Sequence, residues 1–138
     1  MTFPDNGPVS TGVSYMIMEY VQGTLLYDIC DQYAALGEKV GRFLIKQIFN
    51  TLQYIHKQNV AHRDIKLDNI MVDENMNIKF IDFGFAARGN IYSLKDMYGT
   101  KSYLAPEVRK GEVYDGTKID TFSTGVVLYI LVRGIFPF

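Results

Sequence analysis

Two stretches of this 138-residue chain decide its interpretation: HRDIKLDN at residues 62–69 and DFG at residues 82–84. Between them lie two short apolar runs, Ile70–Val72 and Ile78–Ile81, which are separated by acidic residues and asparagines. Short apolar runs that flank such turn-forming residues predict a β-hairpin. Because a hairpin folds back on itself, the two quoted stretches are expected to lie next to each other.

The charged side chains of these stretches indicate chemistry rather than packing. Asp64, Lys66 and Asn69 come from the first stretch and Asp82 from the second. Bringing two carboxylates and an ammonium together out of water is costly unless a ligand compensates them. Asp82 and Asn69 offer the hard oxygen ligands that suit Mg²⁺, which often keeps phosphate oxygens as further ligands. Lys66 would then neutralise charge on a phosphoryl group, and Asp64 would orient an attacking hydroxyl and accept its proton.

The rest of the chain predicts an α+β fold that is mostly helical. Apolar residues at steps of three and four predict one long amphipathic helix before the hairpin, and a more apolar helix follows later. The predicted elements before the hairpin are a loop at 1–13, a strand at Ser14–Glu19, a break at Gly23, a short helix at Leu25–Ala35 and the long helix at Glu38–Gln58. Those after it are a long loop at Gly84–Thr100 and the apolar helix at Lys118–Arg133, ended by Gly134.

Composition excludes several classes of partner. The net charge of −1 gives no broad basic surface for nucleic acid. The apolar stretch Phe122–Val132 is too short for a bilayer, which needs about 20 apolar residues. Residues 1–10 lack the basic start and apolar run of a signal peptide. The single cysteine, Cys30, cannot form an internal disulfide. We therefore expect a cytoplasmic protein without a nucleic-acid or membrane partner.

Four motifs in a fixed order resemble the eukaryotic protein kinase domain. MEYVQG (18–23) resembles its hinge, HRDIKLDN its catalytic loop, DFGFA (82–86) the start of its activation segment and GTKSYLAPE (99–107) the end of that segment. IDTFSTGVVLYILVRGIFPF (119–138) looks like the central helix of the large lobe. The resemblance covers nearly the whole chain from Tyr15 onward.

This resemblance implies a partial kinase domain over residues 14–138: the last small-lobe strand, the hinge and the large lobe through its central helix. The hairpin would then stand at the active site. No glycine-rich loop and no phosphate-binding lysine on a strand precede Tyr15 in the sequence. Since these features belong to the small lobe, almost all of that lobe is expected to be missing from this chain.

The nucleotide site follows from the resemblance position by position. The cofactors would be ATP and Mg²⁺, with the metal held by Asn69 and Asp82. The main chain of Glu19 and Val21 would bind the adenine. Met18 would be the gatekeeper residue beside the adenine, and Met71 would pack beneath it.

The catalytic loop also receives its roles from the resemblance. Asp64 would be the catalytic base and Lys66 the lysine that contacts the transferred phosphate. Asp120 would anchor the loop from the central helix. His62 and Phe83 would be packing residues of the core.

The family pattern further indicates the serine/threonine type, closest to the calcium/calmodulin-dependent and cAMP-dependent kinases. Lys66 lies two residues after Asp64, and both Lys66 and Thr100 would bond around Asp64 to frame a pocket for a short hydroxyl side chain. Leu25 and Ile130 stand where basophilic relatives carry acids, which puts a preference for arginine in the substrate in doubt.

Two residues of the activation segment are expected to act through ion pairs. Asp96 stands where many relatives have a phosphorylated threonine, so its carboxylate would pair with Arg63; the alternative is a solvated loop acid. Glu107 would be structural, with its usual arginine partner beyond Phe138.

The predicted function is a serine/threonine protein kinase that transfers the γ-phosphoryl group of ATP to protein substrates. The isolated chain is expected to be inactive without the small lobe, and an upstream regulator or that lobe would be its partner. The alternative is a catalytically inactive, kinase-like fragment that acts only as a binding module.

Overall fold

The computed structural model describes residues 15–138, so the predicted loop at 1–13 and Ser14 lie outside the described residues. The described part is an α+β structure with four α-helices and five short strands. The strands are β1 (Gly23–Leu25), β2 (Val60–Ala61), β3 (Ile70–Asp73), β4 (Ile78–Phe80) and β5 (Ala87–Arg88). The helices are α1 (Leu26–Tyr33), α2 (Gly37–Lys57), α3 (Pro106–Arg109) and α4 (Gly116–Arg133), and 3₁₀ turns occupy Leu67–Asn69 and Lys101–Tyr103.

The predicted hairpin is confirmed. Strands β3 and β4 pair antiparallel, with Ile70 opposite Phe80 and Val72 opposite Ile78. Its turn is stabilised by Asp73, whose Oδ1 accepts hydrogen bonds from the backbone nitrogens of Asn77 (2.7 Å) and Asn75 (2.9 Å). These bonds to the charged form, led by the one from Asn77, lower the pKa of the Asp73 carboxyl.

The two long helices, α2 and α4, pack against each other and contribute half of the buried residues of the main core. Helix α4 begins where the Asp115 carboxylate accepts a hydrogen bond from the Thr117 amide (2.9 Å), an N-cap that satisfies one of the free amides of the first turn. It ends as predicted at Gly134, whose φ of 72° is in the left-handed region and whose amide donates to Ile130 O at 2.7 Å. Helix α2 contacts β4 and helix α1 contacts β3, and these contacts fix the position of the hairpin.

The predicted strand at Ser14–Glu19 is wrong over its described part. Tyr15–Glu19 has no strand structure, because no strand within residues 15–138 lies beside it to take up its backbone hydrogen bonds. The tyrosines, methionines and isoleucine of Tyr15–Tyr20 are 74–88% exposed. The third strand of the sheet is instead β1, which pairs with β3 through Thr24 opposite Val72, where the sequence indicated only a break at Gly23.

The predicted loop at Gly84–Thr100 is partly structured. Its residues Ala87–Arg88 form β5, which pairs antiparallel with β2, and Leu94 bridges to Tyr114 through two backbone hydrogen bonds of 2.7 and 2.8 Å. Both partners are distant in the sequence, so no local pattern indicates these pairings. They fix the path of the segment on the surface of the helices.

None of the helices in the described part of the chain has the length and apolar character needed to span a membrane.

Candidate active site

The catalytic-loop stretch HRDIKLDN is fixed to α4 by one buried carboxylate. Asp120 Oδ2 accepts hydrogen bonds from the His62 amide (2.9 Å) and contacts His56 Nε2 (2.8 Å), and its Oδ1 accepts from the Arg63 amide (2.8 Å). Buried backbone amides need acceptors, and a charged acceptor makes stronger bonds than a neutral one. The predicted anchoring of the loop by Asp120 is confirmed.

This anchor holds the backbone of Arg63 in a rare conformation. Arg63 has a φ of 66°, in the left-handed region that costs a non-glycine residue about 1–3 kcal/mol. The amides of His62 and Arg63 donate hydrogen bonds to the Asp120 carboxylate, and these two bonds offset that cost. The result is a sharp change of chain direction immediately before Asp64.

His62 is a packing residue, as predicted. Its ring is fully buried and lies 4.7 Å from the Phe83 ring and 5.5 Å from the Phe80 ring. Burial lowers the pKa of the imidazole, which favours the neutral ring. The prediction that Phe83 is a core residue is wrong within the described residues, because its ring contacts His62 but the residue is 45% exposed.

Asp64 is the centre of a compact polar cluster. Its Oδ1 accepts a hydrogen bond from Thr100 Oγ1 (2.8 Å), and its Oδ2 accepts from Asn69 Nδ2 (2.9 Å) and lies 3.2 Å from Lys66 Nζ. Lys66 Nζ also donates to Thr100 Oγ1 at 3.0 Å. The predicted bonding of Lys66 and Thr100 around Asp64 is therefore present. A buried carboxylate held by three partners has a defined orientation.

Gly99 allows the activation segment to approach the catalytic loop. Its φ of 113° is unfavourable for side chains, and a Cβ at this position would lie 2.8 Å from Arg63 O and 2.9 Å from Leu104 Cδ2. A residue with a side chain would have to displace the backbone. The glycine thus keeps Thr100 within hydrogen-bonding distance of Asp64.

Asp82 stands at the other end of the hairpin. The Ile81 amide donates to Asn69 O (3.0 Å), so the two quoted stretches lie side by side as predicted. Asp82 has a φ of 56°, and its Oδ1 accepts from the Gly84 amide at 3.1 Å. Within residues 15–138 its carboxylate makes no hydrogen bond or ion pair with Asp64, Lys66 or Asn69. The side chain remains available to a ligand.

The donor set at this end of the hairpin fits Mg²⁺ shared with a phosphate. Asn69 uses its Nδ2 for Asp64, which leaves its Oδ1 as a ligand oxygen, and Asp82 offers carboxylate oxygens. In the described part of the chain no group of three or more His, Cys, Asp or Glu side chains could hold a metal alone. Mg²⁺ characteristically takes one or two carboxylates or amides and completes its shell with water and phosphate.

The residues predicted to bind the adenine differ in burial and do not all pack together. Met18 is exposed, and the Glu19 carboxylate pairs with Lys79 Nζ at 3.0 Å. Val21 is half-buried. Met71 is half-buried on β3, opposite Leu25 of β1. Met71 and Leu25 thus offer a sheet surface that adjoins Asn69, whereas Met18 is not packed against it.

The guanidinium of Arg63 joins the catalytic loop to the activation segment. Its Nη1 lies 3.6 Å from Asp96 Oδ2, so the predicted ion pair is formed although the Asp96 side chain is largely exposed. Its Nε donates to Phe85 O (2.6 Å), and its Nη1 donates to the Tyr114 hydroxyl (3.4 Å). The guanidinium carbon also lies 4.7 Å from the centre of the Tyr98 ring, a cation–π contact.

Sequence reasoning missed Tyr98 and Tyr114. The Tyr98 ring stacks on the Phe85 ring with centroids 5.3 Å apart and planes 18° apart. The buried Tyr114 hydroxyl donates to Asp96 O at 2.7 Å. Tyr114 lies 51 residues from Arg63, so no pattern within one element could indicate the contact.

Glu107, the last predicted residue of the activation segment, is half-buried in α3. Within residues 15–138 its side chain makes no ion pair. Its backbone oxygen accepts a hydrogen bond from the Glu112 amide at 3.0 Å, which closes the turn after α3.

Comparison with known proteins decides the family. The family model described as the protein kinase domain matches residues 9–138 of the chain. The chain belongs to the protein kinase domain family. This match confirms the predicted partial α+β kinase fold, and together with the serine/threonine kinase relatives of the next paragraph it confirms the predicted serine/threonine type.

Curated relatives of this protein kinase chain carry serine/threonine kinase names. It is 42% identical over 128 residues to the probable serine/threonine-protein kinase KIN1 homolog of Encephalitozoon cuniculi, a match that covers 90% of the chain and 22% of the relative. It is 41% identical over 127 residues to the serine/threonine-protein kinase SIK3 homolog of Danio rerio (90% and 10%). It is 39% identical over 132 residues to the maternal embryonic leucine zipper kinase of Danio rerio (94% and 20%). The chain therefore spans 10–22% of the length of these relatives.

Proposed function

We propose that this chain contributes the large-lobe catalytic centre of a serine/threonine protein kinase, which transfers the γ-phosphoryl group of ATP to hydroxyls of protein substrates. The observation that carries the proposal is the cluster of Asp64, Lys66 and Thr100, with Thr100 Oγ1 2.8 Å and Lys66 Nζ 3.2 Å from the Asp64 carboxylate. This arrangement leaves one oriented carboxylate next to a cation, as transfer of a phosphoryl group to a hydroxyl requires.

Each residue of the cluster has a separate task in this proposal. Asp64 positions the acceptor hydroxyl and takes its proton. Lys66 donates to the oxygens of the transferred group, and Thr100 keeps Asp64 and Lys66 together. Bound Mg-ATP supplies the phosphoryl group and neutralises its charge, and Asn69 and Asp82 hold the metal.

The remaining assignments are part of the same proposal. The adenine would be bound by the main chain of Glu19 and Val21, with Met18 beside it as the gatekeeper residue and Met71 beneath it. Residues 14–138 would be the hinge and large lobe through α4. The protein would act in the cytoplasm on protein substrates.

Asp96 would replace an activating phosphate in this kinase. Its carboxylate lies 3.6 Å from Arg63 Nη1, and Arg63 directly precedes Asp64. One negative charge holds the guanidinium where a phosphate would bring nearly two. We therefore propose a basal activity that needs no upstream kinase.

The test is a chimaera in which the small lobe of one of the relatives precedes Tyr15. It is incubated with Mg-ATP and a generic protein substrate, and the modified residues are identified by phosphoamino-acid analysis. Phosphoserine and phosphothreonine are expected, because the pocket around Asp64 and Thr100 is framed for a short hydroxyl side chain. Predominant phosphotyrosine, or no transfer by a folded chimaera that binds ATP, would contradict the proposal.

A binding module without catalysis is the second candidate, and the exposed apolar segment Tyr15–Tyr20 favours it. Large exposed apolar surfaces commonly mark partner-binding sites. If a folded chimaera binds ATP but never transfers phosphate, this candidate replaces the first.

A further inference from the structure

The ring of Tyr98 lies against the residue that precedes the catalytic aspartate. The Arg63 guanidinium carbon is 4.7 Å from the centre of this ring, within the roughly 6 Å over which the face of an aromatic ring attracts a cation. The Arg63 side chain is only 7% exposed, so its charge is largely withdrawn from water. Because a cation–π contact is stronger when its cation is desolvated, this contact belongs to the stronger ones.

The Tyr98 ring has a fixed orientation of its own. It stacks on the Phe85 ring with planes 18° apart, and the Tyr98 amide donates to Asp96 O at 3.2 Å. The carbonyl oxygen of Phe85 also accepts from Arg63 Nε at 2.6 Å, so Phe85 holds both the ring and the guanidinium. Two side chains that are already oriented lose little conformational entropy when they contact each other.

The contact between Tyr98 and Arg63 stands beside the hydrogen bond between Thr100 and Asp64. Arg63 directly precedes Asp64 in the chain, and Tyr98 comes two residues before Thr100. Thr100 Oγ1 donates to the Asp64 carboxylate at 2.8 Å. The activation segment therefore holds the catalytic loop at two successive residues, and loss of the first contact would let Asp64 shift. A displacement of about 1 Å at a reacting group can cost about 10²-fold in rate.

Asp96 is a weaker partner of the guanidinium than the Tyr98 ring. Its side chain is 65% exposed, and its Oδ2 lies 3.6 Å from Arg63 Nη1, which is longer than a charge-assisted hydrogen bond. Ion pairs that involve an exposed partner contribute little and are screened by salt. The ring instead covers a cation that water hardly reaches, so it restrains the guanidinium more than the carboxylate does.

We propose that Tyr98 is a positioning residue for phosphate transfer: its ring holds the Arg63 guanidinium and thereby keeps Asp64 oriented toward the acceptor hydroxyl. This inference rests on the proposed function and assigns to that site a second residue, besides Asp96, that orders the catalytic loop without a phosphate. Because the ring carries no net charge, its hold on Arg63 needs neither phosphorylation nor a carboxylate.

The first test is the kcat of the chimaera, normalised to its ATP-binding fraction. Tyr98→Leu removes the ring and should lower kcat about 5- to 30-fold, the factor that corresponds to a cation–π contact with a desolvated cation. This loss exceeds the one expected for Asp96→Ala. The KM for ATP should stay within about twofold of the parent, since Tyr98 is not among the residues proposed to bind the nucleotide.

Two further variants show whether the ring face is the part that matters. Tyr98→Phe keeps the ring and should retain the parent kcat. Tyr92→Leu is the matched control, because Tyr92 is a 57% exposed tyrosine of the same segment whose ring makes no aromatic or cation–π contact within residues 15–138. A Tyr98→Leu loss below about twofold, or an equal loss in Tyr98→Phe or Tyr92→Leu, would overturn the proposal.

A double-mutant cycle shows whether Tyr98 acts through Arg63. Arg63→Met removes the guanidinium and keeps an apolar stem. In this background Tyr98→Leu should change kcat less than about twofold, because no cation remains for the ring to hold. An equal loss in both backgrounds would mean that Tyr98 acts by another route and would overturn the proposal.

The second test uses the 138-residue chain and needs no kinase activity. The Arg63 Nε–H resonance is assigned by NMR from its absence in Arg63→Met, and its exchange with water is measured. Exchange should be about 5- to 30-fold faster in Tyr98→Leu and unchanged in Tyr98→Phe and Tyr92→Leu. If Tyr98→Leu does not fold, Tyr98→Gln, which also lacks a ring, should give the same acceleration. Parent-like exchange in the variant without the ring would overturn the proposal.

The proposed function fails separately. A chimaera that transfers phosphate equally well with and without the Tyr98 ring would refute the positioning role and leave the kinase assignment intact. A folded chimaera that binds ATP but transfers no phosphate would refute the kinase assignment, and with it the role of Tyr98 in transfer, even where the exchange measurement shows that the ring holds Arg63.

Discussion

Replacement of Asp120 by asparagine should destabilise the protein strongly although it exchanges one atom for another of similar size. Asp120 is 1% exposed and accepts from the amides of His62 and Arg63 while contacting His56 Nε2. In asparagine one oxygen becomes an NH₂ group that cannot accept, so at least one buried amide loses its partner. An unsatisfied buried group costs about 1–3 kcal/mol, and the other bonds lose the strength that the charge gives them.

The expected loss is about 3 kcal/mol, a large part of the roughly 5–15 kcal/mol that stabilises a domain. With a urea m value of about 1–3 kcal/mol/M, the unfolding midpoint should fall by about 1–3 M. Urea titration followed by far-UV circular dichroism measures this shift. Hydrogen exchange should also show faster exchange of the His62 and Arg63 amides, because these amides lose a charged acceptor.

Asp68→Asn is the matched control, since Asp68 is exposed in the same loop and makes no side-chain hydrogen bond within residues 15–138. It should leave the midpoint unchanged. If Asp120→Asn unfolds at the same urea concentration as the parent, the anchoring of the catalytic loop by this carboxylate is refuted.

Three further predictions concern catalysis and pH. The 138-residue chain alone should show no turnover of Mg-ATP with a mixed peptide library, and a rate within the roughly 1–100 s⁻¹ of intact kinases would contradict this. In the phosphatase-treated chimaera, Asp96→Ala should lower activity about two- to fivefold, because Arg63 loses an exposed ion pair. The Asp96→Thr variant should become dependent on an upstream kinase. Full activity of Asp96→Ala would show that Asp96 is only a solvated loop acid. Burial raises the pKa of Tyr103 to about 12, so its phenol holds its proton more tightly in the folded state; the resulting stability is complete below about pH 10 and is lost as the pH rises toward 12. Urea titrations should therefore show a flatter alkaline decline for Tyr103→Phe than for the parent, and an equal effect of the exposed control Tyr92→Phe would contradict the assignment.

The sequence predicts best what depends on neighbours along the chain. The periodicity of α2, the turn residues of the β3–β4 hairpin and Gly134 at the end of α4 are local signals, and the structure confirms all three. The cluster around Asp64 was predictable because its motifs resemble those of a family whose members share this arrangement.

Contacts between segments that are distant in the sequence could not be predicted from such local signals. The Tyr114 hydroxyl reaches Arg63 across 51 residues, and the stacking of Tyr98 on Phe85 depends on how the activation segment folds back. Strand β1 has three residues, too few for a periodic pattern, and exists because β3 offers it a pairing partner. The predicted strand at Tyr15–Glu19 shows the converse, since a strand-forming sequence stays unpaired when no neighbouring strand lies beside it in the described residues.

The proposed role of Asp82 as a metal ligand can be tested separately from the proposed role of Asp64 as the proton acceptor. In the chimaera, Asp82→Asn should weaken Mg-ATP binding, because it removes a charged metal ligand, whereas Asp64→Asn should leave nucleotide binding nearly intact.

The most direct test of the account is the rate of phosphate transfer by the Asp64→Asn chimaera. Asp64 is held by Thr100 Oγ1, Asn69 Nδ2 and Lys66 Nζ, and the substitution removes the proton acceptor while deleting no proposed phosphate contact. The account predicts a fall of about 10²–10⁴-fold in kcat with Mg-ATP affinity within about twofold of the parent, and parent-like rates for the exposed control Asp68→Asn. An Asp64→Asn enzyme that transfers phosphate to serine or threonine at nearly the parent rate would contradict the account.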